Sequence, residues 1–262
     1  MKAALIPPRG YYNSALQSDY HLMLAQIIDP DYVDLYDARV GDNFVIMDNG
    51  AAEGTMVRDV VLLTRAARMC VDEVVLPDVM CNAEATIARS KEFWTTVDVL
   101  DNRDVINRSQ FSYMGVVQSQ GSLGELIQCV EAFTEMDQVS TLGIPRHLVD
   151  KDKYARANFL SWLRGHGYNE RFEVHLLGTN RLWPQEVSFV AQEHSWVRGV
   201  DSSLPYNYAI AGVELNSKFV SNGGIVRPEE YFDTVRKIDT ELLQTNIDTF
   251  MRWASGTEGT QG

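Results

Sequence analysis

The chain has 262 residues, 45% of them apolar and 23% charged, values that exclude the disordered and fibrous classes and allow one sizeable core. Its net charge of −13 excludes a broad unspecialised phosphate-binding surface, because nucleic-acid affinity is dominated by phosphate neutralisation, but it permits a local basic strip. Cys70, Cys81 and Cys129 form no CxxC pair and have no histidine at ligand spacing, so they read as small core residues and no metal site is expected.

The opening MKAALIPPRG is too short in its apolar run for a signal peptide. No segment approaches the roughly 18 apolar residues of a membrane span. The expectation is a cytoplasmic protein with no membrane partner.

In chain order, KAALIP (2–7) reads as a strand and residues 15–28 as a helix. NFVIMDNG (43–50) is a second strand, followed by a helix over 55–70; DEVVLPD (72–78) is a third, followed by a helix over 82–95. YMGVVQ (113–118) precedes a helix over 121–136, in which Leu123, Leu126, Ile127, Val130 and Phe133 share one face. Ser122 and Glu125 have the spacing of a capping box at its start. STLGIP (140–145), a helix over 150–166, FEVHLLG (172–178), a helix over 182–193 and WVRGVDSS (196–203) continue the alternation. GVELNSKFV (212–220) is a weak eighth strand, and a last helix is expected over 228–254, with Pro228 at its start.

Strands that alternate with helices predict a parallel sheet. Seven or eight of them, with no Gly-rich dinucleotide fingerprint after an early strand, predict an α/β fold of the (β/α)8 TIM-type barrel class. One domain is expected over residues 1–254, with SGTEGTQG (255–262) as a disordered tail.

Several strands end on groups that a packed core would not choose. Asp48 ends FVIMD, Asp78 ends VVLPD, Gln118 ends GVVQ, Gly143 lies in TLGIP, Gly178 closes VHLLG and Asp201 ends VRGVD. Each has a plain structural reading as a helix cap or turn residue, and His175 in mid-strand reads first as a hydrogen-bonded core histidine. In a barrel, however, all C-terminal strand ends converge on one mouth, where active sites are built. The set suits a purine nucleoside: one carboxylate can accept the N1–H and 2-amino donors of guanine, a second can attack an anomeric carbon, and a third can move protons.

These strand ends resemble the tRNA-guanine transglycosylase superfamily, in order through MDNGAAE (47–53), LPDVM (76–80), GVVQ (115–118), LGIP (142–145), HLLG (175–178) and VDSSLP (200–205). The resemblance implies Asp201 as nucleophile and Asp48 as acid–base group. It implies a base-binding set of Asp78, Gln118, Gly143 and Gly178, to which Asn49 and His175 are added. Asn49 stands where the family has a serine. The zinc-ligand set of the tRNA-modifying members is missing from the sequence, so a barrel without a zinc subdomain is expected, similar to the phage-type relatives that act on DNA.

The resulting expectation is a DNA guanine transglycosylase that takes a free 7-deazaguanine as co-substrate, with no cofactor and with an accessory protein as a potential partner. The alternatives are a zinc-less tRNA-guanine transglycosylase or a subunit of one, a nucleoside hydrolase or deoxyribosyltransferase, and a non-catalytic purine-binding barrel. Arg146, Arg181, Arg198 and Tyr206 are the candidate nucleic-acid contacts, with Arg156 in the same basic strip and Tyr113 and Tyr208 as further stacking candidates.

Overall fold

Eight short strands form one parallel sheet: β1 (Lys2–Leu5), β2 (Tyr20–Leu24), β3 (Phe44–Asp48), β4 (Glu73–Val75), β5 (Ser112–Val116), β6 (Val139–Pro145), β7 (Glu173–Leu177) and β8 (Val197–Ser202). The computed structural model describes residues 1–27, 29–37, 43–149, 152–181, 183–215, 225–233 and 237–257. The order β1-β8-β7-β6-β5-β4-β3-β2 pairs sequence neighbours from β2 to β8 and brings β1 back onto β8, with Lys2 opposite Gly199 and Leu5 opposite Ser202. At the seam between β1 and β2, the Ser18 hydroxyl donates to the Ala3 carbonyl at 2.6 Å and accepts the Tyr20 N–H at 3.1 Å. The sheet is therefore a nearly closed (β/α)8 barrel.

Parallel neighbours require crossovers, and helices supply them. They are α1 (Pro30–Asp37), α2 (Asp59–Arg68), α3 (Ala83–Asp101), α4 (Leu123–Thr134), α5 (Ala155–Gly165), α6 (Tyr168–Arg171) and α7 (Glu186–Glu193), while α8 (Leu204–Ile210) and α9 (Thr240–Ser255) follow the last strand. Side chains alternate along each strand, which splits the core in two. Ala4, Leu22, Leu24, Ile46, Val75, Met114 and Val116 cluster separately from the larger core, to which Val45, Met47, Val74, Leu142 and Val200 belong. Asp48 and Gln118 continue the alternation of the smaller cluster, which aims them along the barrel axis at the C-terminal mouth. Among the described residues no helix is long and apolar enough to cross a membrane.

Four expectations are corrected. Residues 15–28 do not form one helix: a 3-10 turn at Tyr12–Gln17 leads into β2, whose five residues are all buried. Leu16, Tyr20, Met23, Leu24 and Ile27 recur at helical spacing, but a strand buried on both faces is a continuous apolar run. The eighth strand is thus β2; residues 212–215 hold a turn and irregular chain, and 216–220 lie outside the described residues. The last helix starts at Thr240, not at Pro228, because Asp239 caps it by accepting the Glu241 and Leu242 N–H groups. Pro228 opens a turn closed by the Tyr231 N–H.

The fourth concerns the capping box before α4. The Ser119 hydroxyl already takes the Ser122 N–H that Glu125 would have served, and Glu125 bonds Ser119 and the Gln120 N–H instead. At the C-terminus, Ser255 belongs to α9, and residues 258–262 of the expected tail lie outside the described residues.

Candidate active site

A cavity of about 750 Å³ opens at the C-terminal ends of the strands. Asp48, Asp78, Gln118, Gly178 and Asp201 all line it, each from the end of a different strand or the residues just beyond. The convergence expected from the sequence is therefore present for these five.

Asp201 ends the apolar part of β8 with its carboxylate at the cavity wall. Its Oδ1 accepts the Gly178 N–H at 3.0 Å and lies 3.1 Å from His175 Nε2, while Oδ2 has no hydrogen-bond partner among the described residues. Gly178 can deliver that N–H because it sits at φ +71°, in the left-handed region, and a Cβ there would meet the Arg146 Cδ at 3.0 Å. The Gly178 carbonyl is gripped by Arg156 Nη1 at 2.8 Å. One oxygen of Asp201 is held and the other is left to the cavity.

Asp78 is buried and held from both sides. Asn49 Nδ2 donates to its Oδ1 at 2.9 Å and Gln118 Nε2 to its Oδ2 at 2.6 Å. Burial raises the Asp78 carboxyl above its usual range, and the two amide donors oppose that rise. The Cys81 N–H donates to Gln118 Oε1 at 2.9 Å, which fixes the orientation of the amide. Gln118 is thereby a buttress for Asp78, with only its second N–H, toward Met80 Sδ, left to meet a ligand. Asn49 is fully buried and acts from beneath the cavity, through the Leu76 carbonyl and Asp78. Each Asp78 oxygen accepts one amide and retains a second acceptor site.

Asp48 lies on the same wall. Burial, then the neighbouring Glu53 and Asp78 carboxylates, hold its carboxyl well above the usual range, against the Gly50 N–H that donates to it at 3.1 Å. Of the three aspartates, Asp48 is the one that burial and neighbouring carboxylates push hardest toward the protonated form. Glu53 was not among the residues singled out, although it closes the MDNGAAE stretch. It lines the cavity, accepts from Gln26 and pairs with Arg227 at 3.1 Å.

Other expected residues fall elsewhere. Gly143 is packed inside the barrel, where a Cβ would strike Leu177 and Met114, and its carbonyl accepts the Val117 N–H, so it presents no edge to a base. His175 is fully buried below the cavity, between Tyr20 and Asp201, and touches a ligand only through Asp201. Arg146 and Arg181 line the mouth.

Arg198 does not reach the mouth. It enters the opposite, N-terminal end of the barrel, bonded to Glu73, Glu173, Thr141 and Tyr20. Arg156 is buried against Glu186, which likewise removes it from any surface strip. Tyr206 is fully buried with its hydroxyl 2.7 Å from Ser14 Oγ, so it is no stacking platform. Tyr113, packed edge-on against Trp94, and Tyr208 are buried as well.

Among the described residues no group of three or more His, Cys, Asp or Glu side chains is arranged to hold a metal ion. Fold and cavity together define a (β/α)8 barrel with three aspartates in one mouth. Compared with known proteins, the chain matches no protein-family model and no curated protein sequence.

Proposed function

We propose that the protein is a DNA guanine transglycosylase, which exchanges a guanine of DNA for a free 7-deazaguanine base through a covalent aspartyl-deoxyribosyl intermediate. One observation carries this reading: in a single mouth, Asp201 has one oxygen tied down and the other without a partner among the described residues, beside Asp48 and a doubly buttressed Asp78.

The target nucleotide is flipped out of the stack into the mouth, since a base inside a duplex is out of reach. Asp78 accepts the N1–H and 2-amino donors of the guanine edge. Asp201 Oδ2 attacks C1′ as the C1′–N9 bond breaks, and Asp48 gives its proton to the departing base. The free 7-deazaguanine then takes the same place, N9 attacks C1′, the C1′–O bond to Asp201 breaks, and the N9 proton returns to Asp48. Two displacements retain configuration at C1′. On this reading Arg146 and Arg181, which line the mouth of an otherwise acidic chain, are the cations that meet the phosphates.

The test is incorporation of labelled guanine into duplex DNA, single-stranded DNA and unmodified tRNA, with wild type and Asp201→Asn. Label in DNA alone, and only with wild type, is the expected result. Label in tRNA alone would replace DNA by tRNA as substrate. Release of bases from free nucleosides with no label in either polymer would make the protein a nucleoside hydrolase or deoxyribosyltransferase.

A further inference from the structure

A line of buried polar groups runs up the inside of the barrel from its N-terminal end to Asp201. Glu73, the first residue of β4, is fully buried and pairs with Arg198 at the start of β8. Arg198 Nε donates to the Tyr20 hydroxyl at 3.1 Å. That hydroxyl lies 2.7 Å from His175 Nδ1, and His175 Nε2 lies 3.1 Å from Asp201 Oδ1. Room for the phenol ring comes from Gly199, where a Cβ would stand 2.4 Å from Tyr20 Cε1.

The chemistry of the members gives the line a direction. A guanidinium has donors and no acceptor, so the Tyr20 oxygen must accept from Arg198. The phenol has one proton, and its remaining neighbour among the described residues is His175 Nδ1, so the proton points there. Burial raises the Tyr20 hydroxyl far above its ordinary value, which keeps that proton in place. Nδ1 is then an acceptor, the proton of a neutral imidazole must sit on Nε2, and Nε2–H donates to Asp201.

We propose that Arg198, Tyr20 and His175 form a one-way hydrogen-bond chain, anchored by Glu73, that fixes His175 as the Nε2–H tautomer and makes it a positioning residue for Asp201. With Gly178 N–H, it supplies the second donor to Oδ1 and so turns Oδ2 toward the cavity. The tautomer follows from the hydrogen-bond geometry of a neutral ring and does not depend on the reaction; the role of Asp201 as nucleophile rests on the function proposed above.

The experiment is nitrogen NMR of the full chain labelled at its five histidines, with His175 assigned by its loss in His175→Gln. A neutral ring protonated at Nε2 in wild type, giving way to a tautomer mixture in Tyr20→Phe, is expected. A wild-type ring protonated at Nδ1 or at both nitrogens would overturn the proposal, whatever the enzyme does.

The second arm is transglycosylation. His175→Leu should lower kcat on the order of 10- to 100-fold with KM little changed, the cost of one donor to a charged acceptor, while His175→Gln, which keeps an N–H, should recover most of it. Equal losses in the leucine and glutamine variants would overturn the positioning role. Absence of base exchange in wild type, with the Nε2–H tautomer observed, would refute the proposed function and leave the hydrogen-bond chain standing.

Discussion

Arg156→Met should be among the most destabilising single substitutions in the molecule. The Arg156 and Glu186 side chains are both 0% exposed, with Nε 3.2 Å from Glu186 Oε1 and Nη2 on Oε2. Nη1 reaches the Gly178 carbonyl at 2.8 Å and, less closely, those of Ile144 and Leu177 at the ends of β6 and β7. Removing the guanidinium leaves a buried carboxylate without its partner, a loss of about 3–5 kcal/mol. It also strands the Gly178 carbonyl, which adds about 1–3 kcal/mol.

The sum is a large share of the roughly 5–15 kcal/mol that holds a domain folded. Arg156→Met combined with Glu186→Leu removes both charges and leaves chiefly the carbonyl unpaired, so the double variant should be more stable than the single by about 2 kcal/mol or more. Urea unfolding of wild type, single and double variants, compared at equal slope, measures both quantities. A single-variant loss below about 1 kcal/mol, or a double variant no better than the single, would refute the reasoning.

Asp201→Asn should fold normally, with unchanged circular dichroism, and lose base exchange by on the order of 10³-fold or more, since it removes the attacking oxygen. Asp48→Asn should cost about 10²–10⁴-fold in the same assay, the usual contribution of a general acid. The same variant also tests the raised carboxyl. Folded Asp48 keeps a proton that the unfolded chain loses near its ordinary value of 3.8, so the folded state binds more protons, and this group's contribution to stability falls as pH rises through the folded value. Asp48→Asn should therefore gain on wild type in urea midpoint as pH rises to neutrality, with no gain below pH 3.8; a gain independent of pH would count against it. Gly178→Ala should cost about 1–2 kcal/mol for a side chain in the left-handed region and reduce kcat by displacing the N–H on Asp201; thermal unfolding and the exchange assay read the two effects.

Most of the barrel was legible along the chain, because strands buried on both faces are largely apolar runs whose C-terminal ends can turn polar where they open into the mouth. FVIMD, VVLPD, GVVQ and VRGVD show that pattern, and the structure brings Asp48, Asp78, Gln118 and Asp201 to one cavity. β2 escaped because Leu16, Tyr20, Met23, Leu24 and Ile27, in and around it, also suit a helix, and the choice is made by the gap between β1 and β3 that a strand must fill.

The basic residues divide in the same way. Arg146 and Arg181 lie at the mouth, but Arg156 and Arg198 look the same in sequence and are buried, because Glu186 and Glu73 come to them from elsewhere in the fold. Tyr20, Glu73, His175 and the β8 residues Arg198 and Asp201 come from four strands far apart along the chain, and only barrel closure stacks them into one hydrogen-bonded line. Periodicity and strand ends are local properties and were determined by the sequence itself. Pairings between distant polar groups depend on which buried donor finds which acceptor, and the tertiary structure alone decided those.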